Sequence, residues 1–241
     1  MLLNMFFLSY LIKNHNVLYL CNFKQTEKRI KMEPLQDYAS LFSLRDIIEY
    51  AGTIVFAISG IRLAAAKEFD WFGAFVVGLV TAIGGGTLRD LLLGITPFWM
   101  LSPSYMYCTL LGMVIVFIFS KQLVRLDTPF FIFDAIGLAL FVVIGIEKTL
   151  ELNYPFWVAI TMGTITGIAG GVVRDIFINE TPLVFRQEVY ALACVMGGIV
   201  FAVCHTLAYS NEACELLSSA TILLIRVLAV KYHWKLPKMK H

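Results

Sequence analysis

From residue 44 onward the chain alternates long apolar runs with short polar connections. At about 20 apolar residues per bilayer crossing, seven helices are predicted, at roughly 44–66, 71–95, 104–122, 130–148, 154–180, 188–209 and 213–231. The third, from Tyr105 to Ser120, carries no charge. Connections such as Lys67-Glu68-Phe69-Asp70 and Arg125-Leu126-Asp127-Thr128-Pro129 separate the others. Neither a soluble domain nor a low-complexity linker stands out.

A repeat underlies this pattern. Gly84-Gly85-Gly86-Thr87-Leu88-Arg89-Asp90 returns as Ala169-Gly170-Gly171-Val172-Val173-Arg174-Asp175, an offset of 85 residues from Arg89 to Arg174. Without a gap, the same offset aligns Gly52 with Gly137, Phe56 with Phe141, Gly60 with Gly145 and Gly78 with Gly163. It also aligns Thr81 with Thr166 and Thr96-Pro97 with Thr181-Pro182. Each unit holds three crossings, an odd number, so the second unit enters the bilayer from the opposite face. The predicted fold is an all-α membrane protein with seven transmembrane helices. Two inverted three-helix repeats, residues 44–126 and 127–210, precede a seventh helix and a basic tail at 211–241.

Composition supports this picture. The chain is 59% hydrophobic and 15% charged, with a mean hydropathy of +0.78, whereas soluble domains carry about 25% charge. A net charge of +2 gives no reason to expect nucleic acid as a partner. Cys21, Cys108, Cys194, Cys204 and Cys214 show no CxxC spacing and lie mostly in apolar stretches. Buried thiols are expected, with no disulfide framework, zinc site or other cofactor. No Ser/His/Asp, HExxH or paired-carboxylate constellation is present, so an enzyme is not expected. His205, alone on an apolar helix, reads as structural.

Charge sets the orientation. With the C-terminus inside, Arg62, Lys67, Lys121, Arg125, Arg186, Lys231, Lys235, Lys238 and Lys240 fall on the cytoplasmic side. Seven crossings then put the N-terminus outside. Residues 1–31 fit this scheme badly, because Leu2 to Ile12 is half a span and Lys24, Lys28, Arg29 and Lys31 lie on the wrong side. They are expected to be a leader, disordered or untranslated, with Met32 as the start.

The glycines at 84–86 and 170–171 admit two readings. A glycine costs a helix up to about 1 kcal/mol relative to alanine, so a run concentrates that cost and kinks the second and fifth helices. Backbone groups freed there would face a polar cavity. Alternatively, Gly78-xxx-Ala82 and Gly163-xxx-Gly167 mark close helix packing. The Arg-Asp pairs are equally pointed. An intramembrane Arg or Asp costs about 2.5–3.5 kcal/mol on insertion scales, so Arg89, Asp90, Arg174 and Asp175 need partners or an aqueous interface to snorkel towards. Side chains at i and i+1 diverge on a helix, which favours pairing across the repeats, Arg89 with Asp175 and Arg174 with Asp90. Ser59, Thr81 and Thr166 are candidates for a polar path, or for bonds to their own helix backbone. Glu49 and Asp134 read as helix-start carboxylates. Arg226, deep in the seventh span, has Glu215 three turns away or a repeat helix as partner.

The doubled glycine and Arg-Asp pattern, each copy followed by Thr-Pro, resembles the bacterial relatives of the trimeric intracellular cation channels. These are also catalogued as a glycine transporter domain family, with the domain present twice per chain. The resemblance spans about residues 45–232. It implies seven helices, a homotrimer in the membrane lipids, and an ion path through each protomer lined by the kinked second and fifth helices. By motif match it makes Gly84, Gly85, Gly86, Arg89, Asp90, Gly170, Gly171, Arg174 and Asp175 pore or gate positions. Ala169 in place of Gly84 departs from the pattern and implies a stiffer second kink. The expectation is a bacterial inner-membrane channel for monovalent cations, potassium above all. The alternative is a glycine transporter working by alternating access of the inverted repeats.

Overall fold

The computed structural model describes residues 44–119, 127–186 and 189–234. The leader and the Met32 start lie outside the described residues, as do residues 120–126. Among the described residues every regular element is helical. The long helices are α1 (Leu44–Ala66), α2 (Trp71–Leu92), α3 (Ser104–Ile118), α4 (Asp127–Glu151), α5 (Phe156–Phe177), α6 (Ala191–Thr206) and α7 (Asn211–Lys231). Short turns, helical at Phe98–Leu101 and 3-10 at Leu183–Phe185, follow α2 and α5. Among the described residues, four helices suffice by length and hydropathy to cross a membrane: Arg45–Ala66 within α1, and the whole of α2, α5 and α7.

Local chemistry sets the helix ends. Asp70 caps α2, its carboxylate accepting from Gly73 N at 2.6 Å. Both repeats stop their second helix three residues short of the predicted end, in the same way. Gly94 and its offset partner Asn179 adopt left-handed φ of 70° and 56°. Ile95 N then bonds back to Asp90 O at 2.9 Å, and Glu180 N to Asp175 O at 2.8 Å. Glycine takes this conformation freely, and asparagine is among the few other residues that tolerate it.

Core contacts exchange under the 85-residue offset. Gly52 packs on Phe141 while Gly137 packs on Phe56, and the two rings meet at 5.1 Å between centroids. Gly60 seats α1 against Thr81 and Gly78 of α2, as Gly145 seats α4 against Thr166 and Gly163 of α5. The helix ends confirm an antiparallel relation between α1 and α4. Arg45 at the start of α1 pairs with Glu151 at the end of α4. Past the other end of α1, Lys67 Nζ meets Glu180 Oε1 at 2.6 Å. Outside the repeat, α7 packs on α6, with Ile222 against Gly197 and Ser218 Oγ donating to Gly197 O at 2.8 Å.

The outward surface is rich in apolar side chains, among them Phe72, Leu91, Phe117, Trp157, Ile176 and Leu224. A soluble monomer does not carry such a surface. Arg62, expected among the loop positives, is buried within α1.

Candidate functional site: two Arg-Asp sites across a glycine crossing

The glycine runs bring α2 and α5 into backbone contact. A side chain at Gly85 would overlap the Thr166 carbonyl oxygen, and one at Gly170 would overlap the Thr81 carbonyl oxygen. These two contacts are the same contact under the offset. Gly84 faces the Gly170 Cα, 3.8 Å from its own ideal Cβ position. Both helices keep α-helical structure through their glycines, so the expected interruption of backbone hydrogen bonding is absent. Close approach of the two helices accounts for the glycines instead, and the helix-propensity cost is offset by packing that only a bare Cα permits.

Arg89 and Arg174 are 1% and 0% exposed, which excludes snorkelling. Pairing across the repeats is not what the structure shows. Arg89 Nε donates to Asp90 Oδ1 at 2.8 Å, and Arg174 Nε to Asp175 Oδ1 at 2.9 Å. Each arginine thus folds back onto its own neighbour. Divergence of i and i+1 side chains fails as a guide here because the aspartate is held from elsewhere. Asp90 Oδ2 accepts from Phe98 N at 2.8 Å, and Asp175 Oδ2 accepts from Leu183 N at 3.0 Å. The Arg-Asp-x3-Gly/Asn-x-Thr-Pro stretch is therefore one cassette. It ends a helix, turns through a left-handed residue, and caps the next short turn with the carboxylate.

Around this shared frame the two sites differ. In the first, the Arg89 guanidinium lies 5.7 Å from the Phe98 ring centroid and Lys148 Nζ lies 5.1 Å from the same ring. Lys148 also meets Glu49 Oε1 at 3.2 Å, so Glu49 is engaged by lysine and not by Arg89. Phe98 fills the space that a side chain on Gly86 would need, and Tyr105 packs edge-on against it at 4.5 Å. In the second, Arg174 Nη1 donates to Asp134 Oδ1 at 2.7 Å and to Ser59 Oγ at 2.8 Å. Gly171 faces the Tyr190 hydroxyl, 3.1 Å from its ideal Cβ position. Arg226 of α7 covers Tyr190 at 4.6 Å and Phe131 at 5.1 Å.

Of the candidates for a polar path, Ser59 joins the second site. Thr81 and Thr166 bond their own helices, to Val77 O and Met162 O, each at 2.6 Å. Asp134 pairs with Arg174 and does not merely complement a helix terminus. Arg226 reaches aromatic rings and not Glu215. Phe98, Lys148 and Tyr190 escaped sequence reasoning, although the offset does align Tyr105 with Tyr190.

A family model described as "Glycine transporter" matches residues 46–121 and again residues 131–206. A solved trimeric intracellular cation (TRIC) channel orthologue from Rhodobacter sphaeroides is 32% identical, with a TM-score of 0.76, covering 80% of this chain and all of that one. The chain belongs to the TRIC family. A second TRIC cation channel, solved as a basis for conductance, is 34% identical with a TM-score of 0.74, covering 83% of this chain and 98% of that one. Among curated relatives, a UPF0126 membrane protein of Vibrio cholerae is 42% identical over 197 residues, 81% of this chain and 82% of the relative. The UPF0126 inner membrane protein YadS of Escherichia coli K12 is 39% identical over 193 residues, 79% of this chain and 93% of that one. This TRIC-family member is accordingly a membrane protein.

Proposed function

We propose that this protein is a cation channel conducting monovalent cations, potassium among them, through a separate path in each protomer of a homotrimer. Its likeness to solved TRIC cation channels over nearly their whole length carries this reading. In it, all seven long helices cross a bacterial inner membrane, with the N-terminus outside and the C-terminus cytoplasmic. The units 44–126 and 127–210 act as inverted repeats, with 211–241 as an added helix and tail.

The path runs along α2 and α5, with Gly84, Gly85, Gly86, Gly170 and Gly171 at its narrowest point. Touching backbones at the crossing form a closed gate, which opens when the helices bend or separate at the glycines. Asp90 and Asp175 supply the negative potential that favours cations, while Arg89 and Arg174 hold the two helix ends in register. Ser59, Thr81 and Thr166 flank the crossing, and lipid surrounds the trimer.

A glycine transporter is the second reading, favoured by the description of the matching family model. Liposomes holding the purified protein separate the two. A channel gives unitary currents and a reversal potential set by the potassium gradient. A transporter gives saturable glycine uptake without unitary currents, and that outcome would replace the channel reading.

A further inference from the structure

Gly86 and Gly171 correspond under the 85-residue offset, yet what stands opposite them differs in kind. The Phe98 ring takes up the space where a side chain on Gly86 would be. At Gly171 that space is bordered by polar atoms from three elements. From the point where a Cβ would stand, Tyr190 Oη lies at 3.1 Å, Arg174 Nη2 at 3.6 Å and Asp134 Oδ1 at 3.7 Å. Tyr190 immediately precedes α6, Arg174 belongs to α5 and Asp134 to α4.

Tyr190 is 1% exposed and Asp134 is 0% exposed. Asp134 Oδ1 accepts from Arg174 Nη1 at 2.7 Å. Its Oδ2 and the Tyr190 hydroxyl are both buried without a hydrogen-bond partner among the described residues. Polar groups at such depth in native proteins are nearly all hydrogen-bonded, to protein or to ordered water. Here one group can donate and the other can only accept, and they do not bond each other directly. A molecule that joins them must therefore accept from the Tyr190 O–H and donate to Asp134 Oδ2. Charge narrows the choice. A cation there would face the Arg174 guanidinium, with that of Arg226 4.6 Å from the Tyr190 ring centroid. An anion would face the Asp134 carboxylate. A neutral molecule that both donates and accepts, and fits beside a bare Cα, is water.

We propose that one ordered water molecule is bound beside Gly171, linking the hydroxyl of Tyr190 to Oδ2 of Asp134. It accepts one hydrogen bond and donates another, and the Arg174 guanidinium borders the same space. The first repeat has no counterpart. Tyr105, which the offset aligns with Tyr190, packs edge-on against the Phe98 ring at 4.5 Å, and that ring closes the space over Gly86. The second Arg-Asp site is thus hydrated where the first is sealed by an aromatic side chain. The water's place does not depend on what the protein conducts.

A crystal structure of the purified full chain, at a resolution that shows ordered waters and with a rubidium soak as control, tests this directly. A density peak within hydrogen-bond distance of both Tyr190 Oη and Asp134 Oδ2 is expected, with no anomalous rubidium signal on it. Thermal melts of Tyr190→Phe, Asp134→Asn and the double variant test the link in solution. The double variant should be more stable than the two single losses imply, by about twofold or more in the unfolding equilibrium constant. Absence of the peak, direct contact between Tyr190 Oη and Asp134, or rubidium at that position would overturn the proposal. So would losses that combine independently in the double variant.

Discussion

The two Arg-Asp sites share a backbone cassette and differ in almost everything packed around it. In the first, Arg89 is matched by one carboxylate and an aromatic face, with Lys148 as a second cation on that same ring. In the second, Arg174 is matched by two carboxylates and a hydroxyl. The residues responsible stand at equivalent positions: Phe98 against Leu183, Glu49 against Asp134, Lys148 against Leu63, and Ser59 against Ile144. Duplication kept what the backbone needs, namely the glycine crossing, the left-handed cap and the carboxylate that holds the next turn. Side chains that reach into each site from α1 and α4 were free to diverge.

The shared half of this comparison breaks first at the crossing. Gly85→Leu and Gly170→Leu should each yield no assembled protein in detergent chromatography, because the side chain overlaps a carbonyl oxygen of the facing helix. Alanine at either position should cost about 1–3 kcal/mol by overpacking. If one glycine tolerates leucine with normal assembly, the two halves do not share a symmetric crossing.

The unequal half is sharpened by the arginines. Arg174→Ala strands Asp134 and Asp175 and should cost about 3–5 kcal/mol in thermal melts, the penalty for unpairing buried charges. Arg89→Ala strands only Asp90 and should cost less. A smaller effect separates Gly86 from Gly171. Gly86→Ala meets the Phe98 ring and should cost about 1–3 kcal/mol, whereas Gly171→Ala crowds the Tyr190 hydroxyl, touches Arg174 and Asp134 at ordinary contact distance, and gains up to about 1 kcal/mol of helix propensity. Equal melting shifts for the pair would remove the distinction between the sites. Smallest is the cap: Gly94→Ala should lose about 1–2 kcal/mol on entering the left-handed region, and Asn179→Gly should change stability little.

Much of this frame was legible from the residues themselves. The offset of 85 residues between Arg89 and Arg174 marked both Arg-Asp pairs, but the contacts it suggested across the repeats, Arg89 with Asp175 and Arg174 with Asp90, do not form. The glycines meet where α2 crosses α5, and the interruption of backbone hydrogen bonding expected of them is not seen there. A glycine run weakens an isolated helix, yet here the missing side chains let α5 approach α2, a benefit visible only once the partner is known. The arginine partners were misassigned because helix geometry was applied to Asp90 and Asp175 as if their carboxylates were free. The N–H groups of Phe98 and Leu183, eight residues on, hold them.

A double-mutant cycle in thermal stability tests the central claim most directly, with Arg174 and Asp134 in one cycle and Arg89 and Asp175 in another. The structure predicts coupling of about 0.5–3 kcal/mol for the first pair and additivity within about 0.5 kcal/mol for the second. Additive losses for Arg174 and Asp134, or strong coupling between Arg89 and Asp175, would contradict two unequal sites, each closed on its own Arg-Asp pair.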